Sequence, residues 1–307
     1  ISHGGRVQTG AKGLGRLGID RLCKKLILQT KIKGSGFFLQ LEVDWKKYED
    51  FGKGFFEIKH KIHEVSVPYE DKYGAAFPSG SGTRIILIGL KDDWQGYLRD
   101  DLIKELRLLV SPLNNSNDFR ITMKAGDEDE QALDSSAILE YSRWSVDASI
   151  NEDGSISASF KHRDSESIPF NLSWEEWIKN RASKPRCGPL SVKFYYIPRE
   201  SIGDADLKVS KIRSFLDANQ GIRIYRDDFR VKPYGEPSGK GDWLDLGLRK
   251  VRNPEGIKQG GWKLGPNVVI GAVYITRDKN AILNDQANRE GIIESEEIGR
   301  AQWRGRV

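Results

Sequence analysis

The chain has 307 residues and a mass of 34.7 kDa, which is enough for about two domains. Hydrophobic residues make up 38% and charged residues 30%, a composition that excludes a disordered chain and is typical of a globular one. No apolar run approaches the roughly 18 residues that cross a bilayer, and no signal peptide opens the chain, so we expect a cytoplasmic protein with no membrane partner. The two cysteines, Cys23 and Cys187, and the four histidines lack the spacing of metal ligands, so no metal site is expected within the chain.

Positive charge slightly exceeds negative charge, with 49 basic against 44 acidic residues, a net charge of +5 and a pI near 9.0. This balance permits a nucleic-acid or nucleotide partner, and the tail "GRAQWRGR" concentrates several of the cations. The acidic residues are interspersed among the basic ones, which disfavours a dedicated nucleic-acid surface. A non-catalytic module that binds nucleic acid through its basic surface is therefore the alternative function.

The first motif in the chain is a glycine-rich segment, "TGAKGLGRLGID", at residues 9–20. Gly10, Gly13 and Gly15 let the backbone approach a ligand closely, and Lys12 and Arg16 add positive charge. A helix that begins directly after such a segment presents its N–H groups to an anion. The segment therefore predicts an anion site. It is neither a dinucleotide fingerprint, because no strand precedes it, nor a Walker A loop, because no Gly-Lys-Ser/Thr ends it.

The segments that follow predict an α+β domain over residues 1–125. Apolar spacing predicts a helix over 17–28 and a second helix over 100–110, which ends before Pro112. Strands are predicted for "KLILQTKI", "FFLQLEVDW", "FFEIKHKIHEVSV", "TRIILIGL" and "FRITMKA". The alternation of apolar and polar residues in the first two strands favours an antiparallel sheet with helices on one side.

A second domain over 137–307 is predicted to follow a linker at 126–136. The linker is rich in acidic and small residues and has no apolar periodicity. Asp153-Gly154 predicts the turn of a hairpin, and Ser173 with Glu176 predicts a capping box at the start of a helix. Strands are predicted for "LSVKFYYIP", "GIRIYRDDFRV" and "NVVIGAVYIT", with a helix over "DLKVSKIRSFLDANQG" between the first two.

Two segments of the first domain resemble the ATP-binding domain of the ninety-kilodalton heat-shock chaperones. The stretch "GSGTRIILIGLKDDWQGYLRDDLIKELRLLVSPL" has that family's Gly-x-Gly-Thr turn before a strand and its Ile-Lys-Glu helix, and "GAKGLGRLGIDRLCKKLIL" resembles its lid. The chain is thus similar to the GHKL ATPases, a superfamily that includes gyrase B, histidine kinases and MutL, and within it to chaperone-like and MORC-like bacterial proteins. The resemblance implies ATP as the ligand. It implies ATP contacts from Gly10, Lys12, Gly13, Leu14, Gly15 and Arg16 in the lid and from Thr83 near the adenine.

The order of segments in the second domain resembles the middle domain of the same chaperones, a ribosomal-protein-like βαβ transducer. In that family an Arg after the last of these strands reaches the γ-phosphate, which implies a catalytic role for Arg289 in "ANREG". The alternative for Arg289 is a surface ion pair with Glu290 or Glu294 on one helical face. The implied fold is α+β, the distal part of a GHKL α/β sandwich followed by a transducer domain.

The resemblance is incomplete at its upstream end. The family places a Glu that activates water, an Asn that holds Mg²⁺ and an Asp-x-Gly-x-Gly adenine segment before the lid, and we identify neither a Glu-x-x-Asn-type nor an Asp-x-Gly-x-Gly-type motif in these roles anywhere in this chain. We therefore expect the Mg²⁺ ligand upstream of this chain, and negligible ATP hydrolysis by the chain alone. The intact protein is expected to be an ATP-driven clamp and a homodimer, with a protein client or nucleic acid as a further partner.

Overall fold

The computed structural model describes residues 14–48, 57–66, 77, 80–109, 111, 113, 121–124, 131–132, 136–178, 187–199, 209–236, 241–251, 264–284, 286 and 291–293. The chain divides into two compact units. The smaller unit takes in Gly10–Leu102 and Met123–Gln131, and the larger unit takes in Ile1–Thr9, Ile103–Thr122 and Ala132–Val307. Sheets and helices are mixed along the chain, so the predicted α+β class is confirmed. None of the described helices is long and apolar enough to cross a membrane.

The smaller unit is built on a four-stranded antiparallel sheet with the strand order β3-β2-β1-β4. Its strands are β1 (Cys23–Lys31), β2 (Phe38–Asp44), β3 (Ile62–Val65) and β4 (Gly82–Leu90), and helix α1 (Tyr97–Leu109) follows. The predicted antiparallel strands and the second predicted helix are therefore present. The described part of the core contains buried Cys23, Leu26 and Val43, against which Ile19 packs from the segment before β1.

The predicted helix over 17–28 is wrong in its second half. A 3-10 helix covers Leu14–Arg21, and the chain then enters β1 at Cys23. Strand β1 pairs with β2 on one side and with β4 on the other, so most of its backbone groups are satisfied by the sheet. The apolar residues of this stretch fit either period, and pairing on both edges decides in favour of the strand.

The larger unit contains a seven-stranded sheet with the order β12-β11-β13-β10-β7-β8-β9. Its strands are β7 (Trp144–Ile150), β8 (Ile156–His162), β9 (Ile168–Leu172), β10 (Leu190–Tyr196), β11 (Gly221–Arg226), β12 (Phe229–Val231) and β13 (Val269–Ile275). Two short strands, β5 (Thr122–Met123) and β6 (Gln131–Ala132), pair separately. The pair β11 and β13 is parallel, whereas the other adjacent pairs of the large sheet are antiparallel.

Three α-helices are described in the larger unit: α2 (Trp174–Ile178), α3 (Val209–Asn219) and α4 (Leu246–Val251). Helix α3 packs Ile212 and Leu216 against Ile270 of β13, forming one side of the core. Helix α4 lies in the crossover between β12 and β13, so a βαβ connection joins the parallel pair. On the other side of the sheet, Ile224 and Ile275 form a second buried cluster with further apolar residues.

Two local motifs of the larger unit confirm their sequence predictions. Gly154, at φ +87°, lies in the turn that joins β7 to the antiparallel β8. The capping box is also present: the backbone N–H of Ser173 donates to Glu176 Oε2 over 2.7 Å, and the N–H of Glu176 donates to Ser173 Oγ over 3.3 Å. These hydrogen bonds lower the pKa of Glu176.

Other parts of the larger unit differ from the prediction. The stretch predicted as one strand over 221–231 is a hairpin, because Asp227 and Asp228 adopt φ +49° and +69° and reverse the chain. Strand β9 and helix α4 were not predicted. Residues Ile103–Thr122 belong to the larger unit although the sequence placed them in the first domain. The physical reason is that Leu113 is buried in the core with α3, and Ser111 Oγ lies 2.5 Å from the hydroxyl of Tyr274 in β13.

Candidate nucleotide-binding site

Thr83 lies at the start of β4, directly after a turn that requires glycine. Gly80 and Gly82 adopt φ +73° and +145°, in the range that side chains disfavour. A Cβ atom added at Gly82 would lie in ordinary van der Waals contact with the Phe77 ring, so the backbone angles alone account for the glycines. The predicted Gly-x-Gly-Thr turn is thus present, and it delivers Thr83 to the first positions of the strand.

The Thr83 hydroxyl faces a second hydroxyl on the neighbouring strand. Thr30 of β1 pairs with Thr83, and their Oγ1 atoms lie 3.2 Å apart. Thr30 Oγ1 also lies 3.2 Å from the carbonyl oxygen of Gly82, to which it donates. The register places Leu28 and Ile85 on the same face of the sheet, and Ile85 is 53% exposed. The two hydroxyls therefore lie on the same face of the sheet as the half-exposed Ile85.

The glycine segment lies only partly within the described residues. Gly10, Lys12 and Gly13 fall outside them, and the side chains of Leu14 and Arg16 do as well. The backbone from Leu14 to Arg21, which includes Gly15, is the 3-10 helix. Its end is tied to the sheet, since the N–H of Leu22 donates to Ile19 over 3.0 Å and the N–H of Lys91 donates to Leu22 over 3.0 Å.

The strand register gives the distance between Cys23, just after the 3-10 helix, and Thr83, and the chain has to cover this distance if one ligand is to contact both the glycine segment and Thr83. Cys23, at the start of β1, pairs with Leu90, whereas Thr30 pairs with Thr83 at the opposite end of β4. Seven residues of strand separate the two ends by about 23 Å, and eight residues of 3-10 helix span about 16 Å. The glycine segment can share a ligand with Thr83 only if it runs back along the sheet toward Thr83.

Arg289 lies outside the described residues, but the stretch that carries it is closed by described contacts on both sides. The N–H of Gln286 donates to the carbonyl of Gly291 over 2.9 Å, and the N–H of Ile293 donates to Asn284 over 2.7 Å. The N–H of Ile292 donates to the hydroxyl of Tyr234 over 3.1 Å, and the Ile292 side chain is buried. Residues 284 and 293 are therefore held together, and Arg289 belongs to the chain between them.

Tyr234 is itself held by the β11 region. Its ring meets Trp243 edge to face at 5.6 Å, and Trp243 Nε1 donates to the carbonyl of Ile222 over 2.8 Å. Gly235 adopts φ +74°, and a Cβ there would lie 2.6 Å from Arg223 Cγ. These contacts tie Ile292, through Tyr234 and Trp243, to β11 of the large sheet.

Buried arginines in β11 and β12 are features that the sequence prediction missed. Arg223 is 1% exposed and donates to the carbonyls of Asn219 and Ala218, at 2.8 and 3.0 Å, where α3 ends. Burial lowers the pKa of Arg223 to about 10, so its side chain remains charged at neutral pH. Arg226 donates to the carbonyl of Leu283, and Arg230 pairs with Glu236 at 3.2 Å. The sequence signal is the presence of Arg223, Arg226 and Arg230 among apolar strand residues, which indicates that their side chains bind to carbonyl or carboxylate groups within the protein.

Two further observations concern cofactor ligands. Residues 50–54, Asp-Phe-Gly-Lys-Gly, have the spacing Asp-x-Gly-x-Gly, but they follow the glycine segment and lie outside the described residues. Among the residues that the structure describes, no group of three or more His, Cys, Asp or Glu side chains is placed to hold a metal ion.

Comparisons with known proteins give a distant likeness in structure. No protein-family model matches the chain, and no curated protein matches it either. The B-subunit of the DNA gyrase from Myxococcus xanthus is similar over 92% of this chain, with 8% identity and a TM-score of 0.39. The 43K ATPase domain of Thermus thermophilus gyrase B, in complex with an aminocoumarin, is similar over 95%, with 11% identity and a TM-score of 0.35. The chain spans 65% of the length of each of these proteins, and likeness at this level assigns no activity to it.

Proposed function

We propose that the chain is the later part of a GHKL-type ATP-driven clamp. The smaller unit would contact ATP through the glycine segment and Thr83, and the larger unit would act as a transducer that senses the γ-phosphate through Arg289. The observation that carries this proposal is the turn from Gly80 to Thr83, whose two glycines need positive φ and which leads into an antiparallel strand. The role of Arg289 rests on the resemblance of "ANREG" and of its place in the order of segments to the chaperone middle domain.

Each proposed contact has a simple chemical role. The backbone N–H groups of Gly10, Gly13, Leu14 and Gly15 would donate to phosphate oxygens, and Lys12 or Arg16 would add positive charge. Arg289 would offer its planar fork of donors to the γ-phosphate, where charge develops during hydrolysis. Mg²⁺ neutralises phosphate charge when it is bound, and its ligand is expected upstream together with the activating Glu. The chain alone should therefore show negligible turnover.

The finer assignments rest on the resemblance of the glycine segment and of "IYRDDFRVKPYG". These assignments are that the protein is a chaperone-like or MORC-like ATPase, that it lies in the cytoplasm, and that it closes as a homodimer on a protein client or nucleic acid. In such a clamp the lid closes over the phosphates, and Arg289 reports the state of the nucleotide to the larger unit.

Thr83→Val tests the nucleotide site directly. Val suits a strand and removes only the hydroxyl, so the fold should be retained. Loss of one hydrogen bond of about 0.5–1.5 kcal/mol predicts roughly two- to tenfold weaker binding of a non-hydrolysable ATP analogue. The measurement is calorimetric titration of a polypeptide that also supplies the expected upstream motifs. Thr122→Val, a strand threonine of the larger unit, is the matched control. Equal affinity for the Thr83 variant and the wild type would remove Thr83 from the site.

A further inference from the structure

The outer strands of the large sheet have one apolar and one polar face. The register places Val146, Phe160 and Ile168 in one cross-strand row and Ala148, Ala158 and Phe170 in the next, all on the same face. The opposite face of the middle strand carries Ser157, Ser159 and Lys161. Such strict alternation is typical of a sheet that packs one face against another layer. We call this surface of β7, β8 and β9 the apolar face.

The apolar face continues a surface that is buried elsewhere in the same sheet. One cross-strand row runs from Ile224 of β11 through Val192 of β10 to Phe170 of β9. Ile224 is 6% exposed because a core cluster covers it, whereas Phe170 is 43% exposed. Trp144, Phe160 and Ile168 are likewise exposed, at 44%, 39% and 64%. Among the residues that the structure describes, the covering cluster thus reaches Ile224 and does not extend over β8 and β9.

The chemistry of the apolar face favours a neutral occupant. Among its described residues none is Lys or Arg, and His162 is the residue there that can carry a positive charge. Nucleic acid binds mainly through phosphate contacts to Lys and Arg, so this face is poorly suited to it. A second copy of the same face brings no like charges together when His162 is neutral.

The edge of the sheet favours packing on the face over addition of a strand. β9 is the terminal strand in the sheet order, and it is short. Pro169, in the middle of β9, has no N–H to offer to another strand. A partner is thus directed to the face, where two sheets pack about 10 Å apart.

The exposed area sets the expected strength of association. Trp and Phe side chains bury about 150–250 Å² each, so the three exposed aromatic rings offer roughly 60–110 Å² apiece. With Ile168 and the partly exposed neighbours the face offers on the order of 500 Å² per copy, or about 1,000 Å² in a pair. This is the low end of specific interfaces, which predicts a weak and reversible dimer.

We propose that the apolar face of β7, β8 and β9 is a self-association surface, on which two copies of the chain pack sheet against sheet about a two-fold axis. Association through this face needs no nucleotide, because none of the residues proposed to contact ATP lies in β7, β8 or β9. It is therefore independent of the proposed ATP site.

The test is sedimentation equilibrium of the 307-residue chain without nucleotide, from low micromolar to several hundred micromolar. The wild type should show a reversible monomer–dimer equilibrium. Ile168→Lys and Phe170→Lys should each weaken it by roughly tenfold or more, since both place a charge in the interface. The matched control is Asn171→Lys, which adds the same charge to the exposed opposite face of the same strand and should dimerise like the wild type. Circular dichroism verifies that each variant is folded.

A wild type that stays monomeric over the whole range would overturn the proposal. Dimers that persist unchanged in both folded variants of the apolar face would also overturn it, since the contact would then lie elsewhere. Binding of single-stranded oligo(dT) by a monomeric wild type, lost in a folded Phe170→Ala variant that adds no charge, would assign the face to nucleic acid instead and equally overturn the proposal.

Discussion

If the intact protein hydrolyses ATP as proposed, replacing Arg289 with Ala in it should slow hydrolysis roughly 100- to 1,000-fold and leave ADP affinity nearly unchanged. A charged contact made mainly in the transition state contributes about 2.7–4 kcal/mol, and ADP lacks the phosphate that Arg289 is proposed to contact. The measurement is steady-state turnover, together with ADP binding by calorimetry. Arg289→Lys should rescue activity only in part, because Lys offers a point charge in place of a planar fork of donors.

Tyr234→Phe separates positioning from direct contact. It removes the hydroxyl that accepts the Ile292 N–H and leaves Arg289 in place. We expect a reduction in turnover smaller than that of Arg289→Ala, together with faster amide exchange at Ile292. If Arg289 is instead a surface residue paired with Glu290 or Glu294, Arg289→Ala will lose little stability and no activity. Wild-type turnover in the folded Ala variant would therefore contradict the transducer role.

Gly235→Ala should destabilise the larger unit by about 2–5 kcal/mol, since positive φ costs about 1–2 kcal/mol for Ala and overpacking adds about 1–3 kcal/mol. The new Cβ would lie 2.6 Å from Arg223 Cγ and 2.8 Å from the backbone carbonyl of Ile222, and a buried strand cannot retreat easily. The measurement is the free energy of unfolding in urea, followed by the fluorescence of the tryptophans.

Gly34→Ala is the matched control for this prediction. Gly34 has φ +84°, close to the +74° of Gly235, but an added Cβ would meet nothing within 4 Å. Gly34→Ala should therefore lower the free energy of unfolding only by the cost of positive φ for Ala, about 1–2 kcal/mol. Equal losses in the two variants would show that the packing around Arg223 and Ile222 yields to a methyl group.

Local signals in the sequence predicted much of the fold. Ser173 and Glu176 predicted the capping box, Asp153-Gly154 predicted a hairpin, and Gly80 and Gly82 marked the turn before β4. These features depend on a few neighbouring residues, so a single sequence contains them. The α+β class followed from the same local patterns.

The misses have long-range causes. The predicted helix over 17–28 overlapped the predicted strand "KLILQTKI", and the strand forms because β2 and β4 pair with it, β4 being about 60 residues away in the chain. Leu113 and Ser111 joined the larger unit through contacts with α3 and with Tyr274, which no local pattern encodes. For the candidate site, the sequence predicted Thr83 at a strand start. It did not reveal Thr30 as the partner of Thr83, because the strand register alone makes that pair.

The central claim is that the glycine segment and the turn at Gly80–Thr83 hold ATP, and hydrogen exchange tests it most directly. Amide exchange is measured by mass spectrometry with and without a non-hydrolysable ATP analogue, in a polypeptide that supplies the expected upstream motifs. We predict slower exchange over residues 8–18 and around Thr83 on nucleotide binding, because the N–H groups there would donate to the ligand or be covered by it. Nucleotide bound at saturation, as shown by calorimetry, with unchanged exchange in both segments would contradict the account.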